Sequence, residues 1–176
     1  MSGTPGIALV RVDNRLVHGQ VLEAWVPALS VQAILVADDE VAGNALARAA
    51  MGLAMPRKVA FRVAPVADVA AMLRPGGVGA PATRTLLLVR DVRDAVTLHE
   101  RGVALGHLNL GNVHFSAGRE QVMPTVHLDS SEIEALRRLA ASGIEIEGRA
   151  VPAEVPIPFA TIAARFRGAG APPARK

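Results

Sequence analysis

Apolar positions along the chain fall into two alternating kinds of segment. Short runs rich in Val, Ile and Leu predict strands at residues 7–12, 31–37, 59–63, 85–89, 105–110 and 122–128. Between them, apolar residues at helical spacing predict helices over residues 19–29, 41–55, 66–73 and 92–100. Pro27 is expected to kink or shorten the first helix, because it has no N–H to donate. Pro56, the Pro75-Gly76-Gly77 turn and Gly102 close the other three. Asp129-Ser130-Ser131-Glu132 reads as a variant capping box, followed by Ile133, Leu136, Leu139 and Ala140 at helical spacing and a stop at Gly143. Residues 144–151 alternate apolar and polar, as an edge strand would. A short terminal helix is expected after Pro152, and residues 167–176, rich in Ala, Gly, Pro and Arg, are expected to be a disordered tail.

Strands alternating with helices of this length predict an α/β fold. The expectation is an open, mostly parallel β-sheet of about six or seven strands with helices on both faces. A single domain over residues 1–166 accounts for the whole pattern. The Gly/Pro-rich stretch 75–83 is read as a loop within it, and no internal repeat is visible. In open α/β sheets, ligand chemistry gathers beyond the carboxyl ends of the strands. That rule selects the loops at residues 13–19, 38–40 and 111–119.

Composition narrows the function. Apolar residues make up 51% of the 176 positions, enough for a sizeable core, and the absence of cysteine excludes disulfides and Cys-based zinc sites. The first six residues carry neither the basic nor the apolar region of a secretion signal. No apolar run approaches the roughly 20 residues that cross a bilayer, so a soluble, intracellular protein is expected. The net charge is +3, but one Trp and no Tyr give little stacking surface, and the arginines are scattered. Nucleic acid is therefore not expected as a partner. No GxGxxG follows the first strand and no GxxxxGK[ST] occurs, which argues against dinucleotides and P-loop nucleotides.

The first loop carries the chemistry. Arg11-Val12-Asp13-Asn14-Arg15-Leu16-Val17-His18-Gly19-Gln20 places two arginines, an aspartate and a histidine at a strand-to-helix junction. Orphan N–H groups at a helix start attract anions, and guanidinium groups suit phosphate oxygens. A histidine there, nucleophilic when neutral, supplies the parts for phosphoryl transfer through a phosphohistidine. Read from the residues alone, the segment serves equally as a polar turn whose arginines pair with Asp13. A second loop, Leu108-Asn109-Leu110-Gly111-Asn112-Val113-His114-Phe115, runs off a strand end where it can face the first. Asn109, Gly111, Asn112 and His114 are thus secondary candidates, with plain turn chemistry as the competing reading. His99 is expected to be solvated. The spacing of His107, His114 and His127 fits no compact ligand motif, so no metal is expected.

The segment RVDNRLVHGQV, with Trp25 beyond it, closely resembles the active-site segment of IIB subunits in the mannose/fructose/sorbose family of bacterial sugar phosphotransferase systems. LNLGNVHF, followed by Gly118 and Gln121, resembles that family's second signature. Agreement extends through Val36-Ala37-Asp38-Asp39, Ala54-Met55-Pro56 and Gly143-Ile144-Glu145-Ile146-Glu147…Ala150-Val151-Pro152, over roughly residues 7–165. The resemblance implies a protein-N(π)-phosphohistidine–sugar phosphotransferase. His18 would accept a phosphoryl group at Nδ1 from a phosphorylated IIA protein and pass it to a sugar held by a membrane IIC/IID transporter. It implies that Arg11 and Arg15 flank the phosphoryl group, that Asp13 orients an arginine or His18, that Gly19 and Gln20 lie in the phosphate site, and that no cofactor is needed. A cytoplasmic protein peripherally associated with its transporter follows, with homo-oligomerisation left open. A regulatory phosphoacceptor on the same scaffold, acting through protein interaction without transport, uses the same loop and is the alternative. One position departs from the family's R-[IV]-D-D-R pattern: Asn14 replaces the second acid.

Overall fold

The computed structural model describes residue 4 and residues 6–168. Strands β1 (Ile7–Asp13), β2 (Ala33–Ala37), β3 (Ala60–Ala64), β4 (Thr85–Val89), β5 (His107–Asn112), β8 (Glu145–Gly148) and β9 (Ile157–Pro158) form one seven-stranded sheet in the order β3-β2-β4-β1-β5-β8-β9. Every pairing is parallel except β8 with β9. The expected α/β sheet with helices on both faces is what the chain forms.

Two apolar clusters divide the faces. One is built from Val10, Val12, Leu108, Leu110 and Ile146 of the sheet, covered by α4 (Val66–Leu73), α5 (Val92–Glu100) and α6 (Ser130–Ala141), with Ile162 of α7 (Phe159–Arg165) also in it. The other packs Leu9, Ile34, Val36, Leu86 and Leu88 against Val21, Trp25 and Val26 and against Val41 of α2 (Asp39–Gly43), with Ala47 and Met51 of α3 (Ala45–Ala54) beside it. Side chains alternate across a strand, so Arg11 and Asp13 share their face with Leu9. Asn109 and Glu147 likewise point away from Leu108, Leu110 and Ile146.

Several boundaries moved, each for a visible reason. The helix expected at 19–29 contains a π-helical turn, Val21–Trp25, before a short α-turn, α1 (Val26–Ala28), in which Pro27 sits at the start. Pro27 cannot donate to the carbonyl four residues back, and the widened turn carries the Val26 N–H to the Val21 carbonyl instead. The helix expected at 41–55 is two helices, because the Asn44 side chain accepts from the Ala47 N–H and restarts the second as its N-cap. The fifth strand starts at His107 and not 105, since Gly106 takes φ +64° just before it.

The strand expected at 122–128 is a separate hairpin, β6 (Glu120–Met123) with β7 (Val126–Leu128), turned at Pro124. The strand expected at 144–151 is not the sheet's edge, because the short β9 covers it before α7 begins. Of the expected tail, residues 169–176 lie outside the described residues.

Candidate functional site

The phosphoacceptor candidate sits where the sheet's order reverses, beyond the carboxyl end of the central strand β1. Asp13 closes that strand with a fully buried carboxylate. Its Oδ1 accepts from the Arg15 N–H at 3.1 Å and lies 3.4 Å from Arg15 Nε, which folds the loop back on itself. Its Oδ2 accepts from Arg11 Nη2 at 2.8 Å and lies 2.9 Å from His18 Nε2. Leu16 takes the left-handed conformation at φ +54° while burying its side chain in the core, which turns the chain so that His18 returns over Asp13. Burial raises the Asp13 pKa, but hydrogen bonds from His18 and Arg11 and their charges outweigh it and hold the carboxyl at about 2. An ionised carboxylate only accepts, so Nε2 of His18 carries the proton in this contact. In the neutral ring the lone pair then falls on Nδ1, which takes no hydrogen bond from the described residues and is not enclosed by them.

Arg11 lies beneath this contact. It has no exposed surface and spends both terminal nitrogens on protein: Nη2 on Asp13 and the Ala150 carbonyl at 3.2 Å, Nη1 on Asn109 Oδ1 at 2.5 Å and the Arg149 carbonyl at 3.2 Å. Burial lowers its pKa, and Asp13 opposes that shift. Asn109 is the register partner of Arg11 on one side and of Glu147 on the other, and its Nδ2 donates to Glu147 Oε1 at 2.8 Å. A polar ladder, Arg11–Asn109–Glu147, thus crosses three adjacent strands.

Arg149 Nε lies 3.3 Å from Glu147, and the Trp25 indole N–H donates to the Ala150 carbonyl at 3.0 Å. The guanidinium carbons of Arg11 and Arg149 lie 5.0 and 5.2 Å from the Trp25 ring centre. Gly111 is where the second loop meets this ladder. A Cβ there would stand 2.0 Å from Arg11 Cζ, so the close approach admits only glycine.

The exposed rim is made by Arg15, Gly19 and Gln20. Arg15 has 40% side-chain exposure and donates to Gln20 Oε1 at 2.9 Å. A Cβ on Gly19 would have only a Glu23 oxygen 4.0 Å away, so the backbone there is open to approach. From the second loop, Asn112 reaches the rim. With its oxygen turned to the donors, it accepts from Arg15 Nε at 3.3 Å and His114 Nε2 at 2.9 Å, while its Nδ2 donates to the Thr125 carbonyl at 3.2 Å.

Structure thus brings His18, Asp13, Arg15, Gly19, Gln20, Asn112 and His114 to one mouth and sets Arg11, Asn109 and Gly111 below it. Glu147 and Arg149 were missed in the sequence because their alternating segment resembles the solvated side of an edge strand. His107 lies 3.6 Å from Glu147, His127 Nδ1 is 3.3 Å from the Val113 carbonyl, and His99 is half-buried where solvation was expected. Among the described residues, no three His, Asp or Glu side chains are grouped to hold a metal. No described helix is long and apolar enough to cross a membrane.

Comparison with known proteins decides the family. The model of the sorbose-subfamily IIB component of phosphotransferase systems matches residues 7–168. The chain belongs to this family. It is 33% identical over 150 residues to the N-acetylgalactosamine-specific phosphotransferase enzyme IIB component 2 of Escherichia coli K12, covering 85% of this chain and 94% of that one. It is 38% identical over 149 residues to the mannose-specific EIIAB component of the same organism, spanning 82% of this chain but 44% of that longer protein. The crystal structure of the IIBSor domain of the Klebsiella pneumoniae sorbose permease superposes with a TM-score of 0.81 at 26% identity, covering 90% of this chain and 96% of that one. As a IIB component, the chain is a phosphotransferase.

Proposed function

We propose that this IIB chain is a phosphoryl carrier that accepts phosphate on Nδ1 of His18 from a phosphorylated IIA protein. It then delivers the group to a sugar held by a membrane IIC/IID transporter, against whose cytoplasmic face it docks. The observation that carries the reading is the 2.9 Å contact between His18 Nε2 and the buried, ionised Asp13. That contact leaves Nδ1 with the lone pair and, among the described residues, without a hydrogen-bond partner.

In the transfer, Nδ1 attacks phosphorus, the P–N bond to His18 forms, and the donor's bond to phosphorus breaks. The Nε2 proton stays in place, so the ring gains positive charge next to the Asp13 carboxylate. Arg15, exposed at the rim, meets the phosphoryl oxygens. Arg11, wholly buried, acts through Asp13 without touching phosphate.

The test is transfer from phosphoenolpyruvate through the general phosphotransferase proteins and a mannose-family IIA, read by intact mass at neutral pH. One acid-labile phosphoryl group is expected, absent in His18→Ala. An active IIA that leaves the wild-type chain unlabelled would remove the reading. Label that never reaches sugar in the presence of the transporter would leave a regulatory phosphoacceptor.

A further inference from the structure

His114 is an exposed residue held at three points. Its ring Nε2 bonds Asn112, its carbonyl accepts from Arg119 Nη1 at 3.0 Å, and its N–H donates to Asn14 Oδ1. Arg119 is itself fixed by the buried Glu132, with Nε donating to Oε2 at 3.0 Å. Asn14, between Asp13 and Arg15, also donates through Nδ2 to the Arg90 carbonyl at 2.9 Å and through its N–H to the Asn112 carbonyl at 2.9 Å. The loops leaving β4, β1 and β5 therefore meet on this one residue. The orientation of its carboxamide is fixed by chemistry, because a carbonyl faces one end and an N–H the other.

We propose that Asn14 is a positioning residue that sets Arg15 at the phosphoacceptor mouth, acting through His114 and Asn112. The link is continuous. Asn14 fixes the His114 backbone, the His114 ring donates to Asn112 Oδ1, and the same oxygen accepts from Arg15 Nε. The acceptor end of Asn14 carries the link, and the donor end holds Asn14 against the β4 loop. The inference rests on the carrier reading of His18, and part of its test does not.

Asn14→Ala removes both ends, whereas Asn14→Asp keeps the acceptor. In amide hydrogen exchange followed by NMR, the His114 N–H is expected to be protected in wild type and Asn14→Asp, and to exchange about ten times faster in Asn14→Ala, as loss of one hydrogen bond implies. At saturating phosphorylated IIA, Asn14→Ala is expected to slow labelling of His18 about tenfold, with Asn14→Asp recovering most of that loss. In an Arg15→Ala background, Asn14→Ala should slow labelling less than about twofold, because the two act along one path.

Wild-type protection of His114 in Asn14→Ala overturns the proposal, as does Asn14→Asp that is as slow as Asn14→Ala. A full tenfold loss surviving in Arg15→Ala overturns it too. If no IIA labels the wild-type chain, the carrier reading falls, and the His114 exchange rates alone decide whether Asn14 holds the loop.

Discussion

Asp13→Asn tests the site and the fold together, because one carboxylate serves His18, Arg11 and Arg15. The substitution keeps the shape and removes the charge. Displacement of the Asp13 pKa from 3.8 to about 2, at 1.36 kcal/mol per pH unit, ties about 2–3 kcal/mol of stability to its ionised form. A second estimate comes from Arg11, which has no exposed surface; stripping one partner from a buried pair costs about 3–5 kcal/mol. Arg11 keeps Asn109 and two carbonyls, so the lower part of that range, about 3 kcal/mol, is expected at neutral pH.

The pH dependence has a definite sign. A carboxyl whose folded pKa is depressed contributes stability above its unfolded pKa and loses it as pH falls. The difference between wild type and Asp13→Asn in urea unfolding should shrink between about pH 4 and 2. Taking the difference matters, since Asp94 works in the opposite sense. The neutral variant should also label at least about a hundredfold more slowly, because an amide facing Nε2 permits the tautomer that protonates Nδ1. A variant within about 1 kcal/mol of wild type at pH 7, or one whose difference curve stays flat to pH 2, would refute the assignment of Asp13 as the buried counter-ion.

Arg15→Ala is expected to slow labelling about a hundredfold by removing the exposed phosphate contact, with unfolding free energy changed by less than about 0.5 kcal/mol. Gly111→Ala drives a Cβ to 2.0 Å from Arg11 Cζ and is expected to cost about 3 kcal/mol in urea unfolding, the upper end for overpacking. Burial and the neighbouring Asp91 push the Asp94 carboxyl up to about 6, a penalty at neutral pH that is relieved as pH falls through 6. Asp94→Asn keeps an acceptor for the Asp91 N–H and should gain about 1–3 kcal/mol at pH 7, and its unfolding curve should lack the gain that wild type shows between about pH 6 and 4.

What the sequence disclosed depended on whether a signal was local. Residues 66–73, 85–89 and 92–100 appear with the boundaries expected, since each is a uniform apolar pattern ended by Pro, Gly or a capping Asp. The His18 loop was legible because its charged residues lie within eight positions. The hairpin in 120–128 was lost because an apolar run hid the turn at Pro124. Arg11 shows the deeper limit. Its charge suggested a phosphate contact, and only the register of β1 with β5, and of β5 with β8, reveals the Asn109–Glu147 ladder beside it, with Trp25 packed on its guanidinium. Cross-strand partners about 100 residues away leave no local trace.

The charges around the phosphoacceptor explain why such a buried ladder suits a carrier. Arg11 stands against Asp13 and Arg149 against Glu147, so the buried layer is close to neutral and Arg15 is left in excess at the rim. A phosphoryl group brings nearly two negative charges, and the phosphorylated ring, protonated at Nε2, contributes one positive charge. Together with Arg15 these nearly cancel, so neither form of the site holds a large uncompensated charge. A second acid at position 14 would tilt that balance toward release. The neutral Asn14, already fixed between the Arg90 carbonyl and the His114 N–H, adds no repelling carboxylate of its own beside the phosphorylated ring.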